Sequence, residues 1–257
     1  MTEREVSASR RFADRIAIGG DYQFRAITTG RAPQRFWHEA KLREAERWIR
    51  PSPGDIILDV GCGSGVLAWR LAQAPGTHVI GIDANRAAIS FASEQFRQPN
   101  LEYRLGLVDE LGLAANSISK IAFIEVIEHI HPPQALEALK CFYRILKPGG
   151  RVVISTPNAA SLWPLIERTM DALRLVPHMA DDQHVASYSR RSLEALGVRA
   201  ALTPVTHRTI NFAAPWLAML SWRAAEITCR LETLRPQPLG SLLFMIFEKR
   251  PAEAGSG

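Results

Sequence analysis

Cysteine is scarce in this sequence, which holds three in 257 residues, at positions 62, 141 and 229. Their spacing matches neither a disulfide framework nor a zinc-ligand pattern. The N-terminal stretch is charged and lacks an apolar run, and no stretch of about 18 apolar residues occurs that could span a bilayer. These absences predict a protein of the reducing cytoplasm, with neither a signal peptide nor a membrane span.

Charge of one sign is not concentrated anywhere in the chain. The net charge is +5, and 22% of residues are charged against 47% that are hydrophobic, as is usual for a globular protein with a sizeable core. A basic excess suits nucleic acid, an anionic membrane surface or an acidic ligand, but its even spread selects none of them. The sequence shows no added RNA-binding module and no aromatic-basic stacking pattern, so DNA and RNA are not favoured as partners.

From residue 56 onward, short apolar runs alternate with helical patterns. The predicted strands are IILDV (56–60), HVIGID (78–83), LEYRL (101–105), KIAFIEV (120–126) and RVVIST (151–156), with two more at 200–210 and 241–250. The predicted helices between them are VLAWRLAQA (66–74), RAAISFASEQF (86–96) and QALEALKCFYRIL (134–146). This alternation predicts an α/β fold, in which a mostly parallel sheet is covered by helices on both faces.

Three regions lie outside the alternation. Residues 1–50 are predicted to form an N-terminal helical cap segment, with an amphipathic helix in RFWHEAKLREAERWI (35–49). The main domain is predicted over 51–250, with insertions at 158–190 and 211–240, where an open sheet commonly builds its substrate site. The tail, 251–257, is predicted to be disordered.

The first predicted strand runs into DVGCGSG, residues 59–65, where glycines allow bare backbone to approach a ligand. Asp83 ends the next strand, at the spacing from which a carboxylate reaches ribose hydroxyls; it could also cap the helix that begins near Asn85. A dinucleotide-binding dehydrogenase would need G-x-G-x-x-G, but the third glycine, Gly65, comes one residue too early. The loop therefore predicts a different nucleoside-bearing cofactor.

DVGCGSG, GID, IEVIEHI and LKPGGRVVISTPN, in that order, resemble the class I S-adenosylmethionine-dependent methyltransferases over roughly residues 54–196. The resemblance implies a Rossmann-like seven-stranded sheet whose last strand is antiparallel. It also implies S-adenosylmethionine as cofactor. The methionine part would lie along Asp59 and the glycine loop 61–65, and the ribose would lie at the end of the second strand. The cofactor-binding residues implied in this way are Asp59, Gly61, Cys62, Gly63, Gly65, Asp83, Ala84, Val108, Asp109 and Glu125. Many relatives carry an acid where this chain has Leu107, so the adenine contact at Val108 and Asp109 is supported less directly than the ribose contact.

Glu125, Glu128 and His129 lie in IEVIEHI, at the carboxyl end of the fourth predicted strand, which in such sheets faces the ligand crevice. The distal segment DDQHVASY adds Asp181, Asp182 and His184. Carboxylates and imidazoles of this kind suit a divalent cation such as Mg²⁺ or Zn²⁺, and a bound cation would lower the pKa of an acceptor hydroxyl.

The same pattern is similar to two metal-dependent groups, the ubiquinone-pathway catechol O-methyltransferases and the small-RNA 2′-O-methyltransferases. That similarity implies four metal ligands: Glu125, Glu128, His129 and His184. We expect His129 and Glu125 also to act in catalysis. A metal-free enzyme is the alternative, in which Glu125 only orders the cofactor pocket. His131 and His178 are predicted to be surface histidines, and Cys62 a small packing residue.

The insertion NFAAPWLAMLSWRAAEITCRLETL (211–234) repeats apolar residues at helical spacing. It is predicted to pack on the sheet, pair with a second copy, cover a lipophilic substrate or lie on a membrane surface. SLWPLIERTMDALRLV (161–176) could serve the same purpose.

The leading prediction is O-methylation of a small lipophilic catechol, quinol or diol, with peripheral membrane contact and oligomerisation left open. The alternatives are metal-free N- or C-methylation in natural-product, lipid or sugar metabolism, methylation of an RNA 2′-hydroxyl, and a cofactor-binding protein without catalysis.

Overall fold

The computed structural model describes residues 19–161, 184–234 and 238–251. Most of the predicted segment 161–176, and with it His178, Asp181 and Asp182, lies outside the described residues.

Seven strands form one sheet in the order β3-β2-β1-β4-β5-β7-β6. The strands are β1 (Ile56–Val60), β2 (His78–Asp83), β3 (Leu101–Leu105), β4 (Ile118–Ile124), β5 (Leu146–Pro157), β6 (Thr203–Ile210) and β7 (Leu242–Glu248). β7 pairs antiparallel with both β5 and β6, whereas β1 to β5 pair in parallel. The predicted sheet, including its antiparallel last strand, is confirmed.

Helices precede the sheet and connect its strands. Over the described residues they are α1 (Tyr22–Thr28), α2 (Ala32–Ile49), α3 (Val66–Ala72), α4 (Arg86–Gln95), α5 (Pro132–Ile145), α6 (Arg190–Arg199), α7 (Ala214–Leu217) and α8 (Trp222–Leu234), with a 3₁₀ turn at Ile127–His129. Among the described residues, none of the helices combines the length and the apolar character needed to cross a membrane.

Alternate side chains of β4 enter two separate cores, because a strand presents successive residues to opposite faces. Phe123 packs edge-to-face on Phe142 of α5, with ring centroids 5.1 Å apart. Ala122 and Ile124 instead lie in the core on the other face, together with Phe36 of α2. Helices thus cover the sheet on both sides, and the carboxyl ends of its parallel strands share one edge.

β5 begins at Leu146, five residues earlier than the sequence predicts. The sequence places a turn at Pro148-Gly149-Gly150, but this stretch is part of the strand: the Gly149 N–H donates to the Lys249 carbonyl oxygen at 2.7 Å. Gly149 has a φ of 77°. The pairing with β4 shifts register between Ile118 and Lys120, so the stretch acts as an irregularity within the strand.

The insertion 211–234 forms α7 and α8, and three residues of its apolar repeat face outward. Leu220 is 84% exposed, and Ile227 and Leu231 are also exposed. Another side of the insertion packs inward: Trp222 contacts Phe36 of α2 at 5.2 Å between ring centroids, and Ala225 is buried. Leu217, at the start of the repeat, also packs against the core on this face of the sheet.

Candidate active site

The glycine loop between β1 and α3 turns through three glycines in the left-handed region. The φ angles of Gly61, Gly63 and Gly65 are 73°, 51° and 80°, which side chains other than glycine rarely adopt. A Cβ on Gly61 would collide with the Val126 side chain, and one on Gly65 would lie 2.6 Å from the Tyr103 hydroxyl. Both the turn and its close packing therefore require glycine.

Asp83, at the end of β2, accepts two backbone hydrogen bonds. The Gly63 N–H donates to Oδ2 and the Asn85 N–H to Oδ1, each at 2.8 Å. Asn85 is the cap of α4, since its side chain accepts from the N–H groups of Ala87 and Ala88. Asp83 is therefore not the helix cap; it joins the glycine loop to the end of β2, where a nucleoside cofactor would approach.

Asp59, the last acid of β1, is buried, and its Oδ2 has no hydrogen-bond partner among the described residues. Burial, reinforced by the charge of Asp83, raises the pKa of Asp59 to about 7. An orphaned carboxyl oxygen is costly unless a ligand supplies a donor. The ammonium group of a methionine moiety is such a donor, so the residues here fit S-adenosylmethionine.

Helix α1 lies against the glycine loop, a contact that the sequence did not reveal. The Phe24 N–H donates to the Ser64 hydroxyl at 3.1 Å. The Phe24 ring packs on Phe91 and Phe96, with centroid separations of 5.5 and 6.0 Å. A Cβ on Gly20 would collide with the backbone of Ala87. The segment before the sheet thus closes over the loop that would hold the cofactor.

The remaining predicted cofactor residues flank this loop. Val108 is buried and Asp109 exposed in the turn after β3. Cys62 is buried, and its N–H donates to the Ile82 carbonyl oxygen at 3.0 Å. Burial raises the pKa of the Cys62 thiol well above its ordinary value, so this thiol is not a nucleophile. Ala84 follows Asp83 directly.

Glu125 follows β4 in a left-handed conformation, with a φ of 57°. Its N–H donates to the Ser155 carbonyl oxygen, and its Oε1 accepts from the Ser155 hydroxyl, both at 3.1 Å. Burial, and then the charge of Glu128, raises the pKa of Glu125 to about 8. A strained, partly buried acid at the carboxyl edge of the sheet is characteristic of functional sites.

Glu128, His129 and His184 converge at this edge. One ligand atom from each lies within 4.8 Å of the others, and the two imidazole centroids are 5.1 Å apart. The Glu128 carbonyl oxygen accepts from the N–H groups of Val185 and Ala186 at 2.9 and 3.1 Å, which holds the distal segment beside the 3₁₀ turn. The structure therefore brings together three of the four predicted metal ligands; the fourth, Glu125, is not part of this group.

The electrostatics of these three residues suit a cation. Glu128 is buried, burial raises its pKa to about 7, and its Oε2 has no hydrogen-bond partner among the described residues. Burial, followed by the charge of His129, lowers the pKa of His184 to about 4, so this imidazole is neutral, as a metal ligand must be. One carboxylate and two imidazoles form a donor set that Zn²⁺, Mn²⁺ and similar ions accept.

Helix α2 adds two buried polar side chains that sequence reasoning missed. His38 and Lys41 are 5% and 4% exposed, and the Lys41 Nζ lies 4.7 Å from the Trp37 ring centroid. In an amphipathic pattern, histidine and lysine are assigned to the solvent face, so periodicity alone could not identify them. By contrast, His131 is exposed at the start of α5, where its N–H donates to Gln134 Oε1 at 3.3 Å.

A family model described as a methyltransferase domain matches residues 30–207. The ubiquinone biosynthesis O-methyltransferase of Acinetobacter baylyi is 34% identical over 165 residues, which are 60% of this chain and 67% of that protein. The enzyme of the same name from Acinetobacter baumannii is 32% identical over 53% of this chain. The chain spans 61% of that relative's length.

A structure of a SAM-dependent methyltransferase from Archaeoglobus fulgidus superimposes with a TM-score of 0.61 at 19% identity. The superimposed region covers 89% of this chain and 99% of the Archaeoglobus fulgidus chain. At that identity the likeness shows the fold. Together with the family model, it confirms the predicted enzyme class and the S-adenosylmethionine cofactor. The chain belongs to the class I S-adenosylmethionine-dependent methyltransferases.

Proposed function

We propose that this enzyme methylates a hydroxyl oxygen of a small catechol, quinol or vicinal diol, with a divalent cation held by Glu128, His129 and His184. The observation that carries the proposal is the convergence of these three side chains at the edge of the sheet that also bears the glycine loop. The name of the Acinetobacter baylyi relative, a ubiquinone biosynthesis O-methyltransferase, supports oxygen as the acceptor atom.

S-adenosylmethionine supplies the reaction with a methyl group on a sulfonium. In our proposal, Asp59 and the loop 61–65 hold its methionine part, Asp83 and Ala84 its ribose, and Val108 and Asp109 its adenine. Asp83 is fixed for this role by the hydrogen bonds from Gly63 and Asn85. Methyl transfer needs in-line approach of the acceptor, so positioning by fixed side chains contributes strongly.

A divalent cation would act as a Lewis acid that lowers the pKa of the acceptor hydroxyl. Glu128 and the neutral imidazole of His184 would bind it, with His129 completing the set of side-chain ligands. Glu125 stands beside this set and is held by Ser155. We assign Glu125 to the acceptor side of the site, where its fixed carboxyl orients the substrate and the cofactor end of the pocket.

We further propose that α7 and α8 meet an anionic lipid surface, where a lipophilic acceptor would dissolve. Met219, Leu220 and Leu234 are exposed, as are Arg223 and Arg230. The acids of α8 are engaged on its inner side. Glu226 pairs with Arg43 at 3.5 Å, and Glu232 accepts from the backbone N–H groups of residues 212–214. Apolar and cationic groups therefore face outward together, as on interfacial helices.

The test of O-methylation is a transfer assay with methyl-labelled S-adenosylmethionine, catechol as acceptor and added Mg²⁺, Mn²⁺ or Zn²⁺. We expect a singly O-methylated product by mass spectrometry and NMR, with turnover lost on chelation. A product methylated on nitrogen or carbon with other acceptors, formed equally well under chelation, would favour the metal-free alternative instead.

A further inference from the structure

Helix α2 places a cation inside the site. Lys41 is 4% exposed, and α2 packs against β4 and β5, whose carboxyl ends carry Glu125 and Thr156. Burial lowers the pKa of Lys41, and the charges of Glu125 and Glu128 oppose that shift. The ammonium group is therefore close enough to both acids to interact with them electrostatically.

A purely structural ion pair would be in contact, yet among the described residues no hydrogen bond joins Lys41 to either carboxyl group. Its Nζ lies over the face of Trp37, 4.7 Å from the ring centroid. Glu44, also buried on α2, shows the contrast: it accepts from Trp48 Nε1 at 2.6 Å and pairs with Arg208 at 3.6 Å. Lys41 is thus a buried cation that forms no hydrogen bond with an acid among the described residues.

A second group on α2 lies one turn before Lys41. His38 is 5% exposed, and its Nδ1 has no hydrogen-bond partner among the described residues. Its ring contacts Trp37 and Tyr22 edge-to-face, with centroids 5.0 and 6.0 Å away. Burial, and then the charge of Lys41, lowers the pKa of His38 to about 2, so the imidazole stays neutral. An unpaired neutral imidazole nitrogen beside a buried ammonium is suited to a ligand that carries oxygen.

The surroundings of Glu128 also contain unpaired polar atoms. The Tyr188 hydroxyl and Glu128 Oε2 are buried without hydrogen-bond partners among the described residues. The charge of Glu128 contributes to raising the pKa of Tyr188, after burial, so these groups are neighbours. Unpaired polar atoms on α2 and around Glu128 are costly in the folded chain alone. Their cost is offset if an oxygen-bearing acceptor binds to them.

We propose that Lys41 of α2 binds the acceptor's reacting oxygen as its anion, with Nδ1 of His38 as a second contact. This rests on the proposed O-methylation and adds a cation supplied by the chain itself, separate from any metal. On binding, the acceptor's O–H proton is released to solvent and the oxyanion pairs with the ammonium group. Preorganised charges of this kind stabilise an anion most strongly where water is excluded.

The test uses 4-nitrocatechol, whose anion absorbs at longer wavelength than its neutral form, so that its ionisation can be read without turnover. The dye is titrated with pH on the full-length protein, in the presence of S-adenosylhomocysteine and EDTA. We expect its ionisation midpoint to fall by about one unit or more on binding to the wild-type protein. Lys41→Gln should abolish the shift, Lys41→Arg should retain part of it, and Lys140→Gln, on the exposed face of α5, should leave it unchanged.

If Lys41→Gln fails to fold, Lys41→Met, which keeps the length of the side chain without its charge, takes its place in the titration. A dye that does not bind, or that ionises at its free midpoint until metal is added, would overturn the role of Lys41. Methyl transfer to catechol without a dye shift would overturn that role alone. A dye shift without methyl transfer would overturn the proposed O-methylation and leave Lys41 as an anion-binding residue.

Discussion

The backbone N–H of Gly63 donates a 2.8 Å hydrogen bond to Oδ2 of Asp83. The acid that we expect to bind the ribose therefore also holds the glycine loop in place. Asp83→Ala should weaken binding of S-adenosylhomocysteine by about tenfold to hundredfold, since it removes charged hydrogen bonds worth a few kcal/mol. Titration calorimetry measures this directly. Glu94→Ala, at an exposed acid on α4, is the matched control and should leave the affinity unchanged; equal effects of the two variants would contradict the assignment.

Alanine substitutions at Gly65 and Gly54 should distinguish the cost of lost packing space from the cost of backbone strain. Both have positive φ, 80° and 85°, but a Cβ on Gly65 would meet Tyr103 and Ala92, whereas nothing lies within 4 Å of one on Gly54. Gly54→Ala should cost about 1–2 kcal/mol in the free energy of unfolding. Gly65→Ala should cost more and weaken cofactor binding as well. Urea unfolding of the two variants measures the difference, and similar losses would contradict the packing argument.

Asp59 should make stability depend on pH. Burial raises its pKa to about 7, so the folded chain holds this proton more tightly than the unfolded chain does. The contribution is fully present below the unfolded pKa and is lost as pH rises from about 4 through 7. Asp59→Asn should therefore match the wild type near pH 4 and exceed its free energy of unfolding near pH 8. The gain should be roughly 4 kcal/mol, because the pKa of Asp59 rises from 3.8 to about 7 and each unit of pKa difference is worth about 1.4 kcal/mol.

Chemical unfolding at a series of pH values tests this, with Asp109→Asn as the control at an exposed acid. A pH profile for Asp59→Asn that parallels the wild-type profile would show that Asp59 is not the group responsible.

The outward face of α7 and α8 should bind anionic vesicles. Leu220→Glu combined with Ile227→Glu removes two exposed apolar side chains and adds two negative charges, so it should weaken sedimentation with phosphatidylglycerol vesicles at least about tenfold. Val198→Glu, an exposed apolar residue on α6, is the matched control and should bind like the wild type. A wild-type protein that does not sediment with vesicles, or a control as weak as the double variant, would refute lipid contact.

The sequence predicts the sheet well because its strands are short, buried and separated by clear helical patterns. IILDV, HVIGID and LEYRL coincide with β1, β2 and β3 residue for residue. The boundaries of β5 were not predicted, because Pro148-Gly149-Gly150 reads as a turn although its backbone pairs with neighbouring strands. The outward orientation of Leu220 and Ile227 also could not be predicted from the sequence. Periodicity shows that a helix has an apolar face, but it does not show which surface that face packs against.

The sequence could predict those residues of the candidate site that belong to motifs at the ends of strands. Glu128 and His129 follow β4. The residues of the distal segment offered Asp181, Asp182 and His184 as candidates, and the family resemblance selected His184 among them. His38 and Lys41 were not predicted, because they lie in α2, far in sequence from any motif. Histidine and lysine also usually face solvent. Only the packing of α2 against β4 and β5 reveals that they are buried.

The most direct test of the account is methyl transfer from labelled S-adenosylmethionine to catechol by the wild-type protein, Glu128→Gln and His184→Ala, each with and without EDTA. His131→Ala, at an exposed histidine outside the cluster, is the control. We predict an O-methylated product from the wild type and from the control. The other two variants should lose at least about a hundredfold in kcat/KM, and chelation should abolish turnover, because metal activation of the hydroxyl contributes several kcal/mol. Undiminished O-methylation by both site variants in the presence of EDTA would contradict metal-assisted O-methylation.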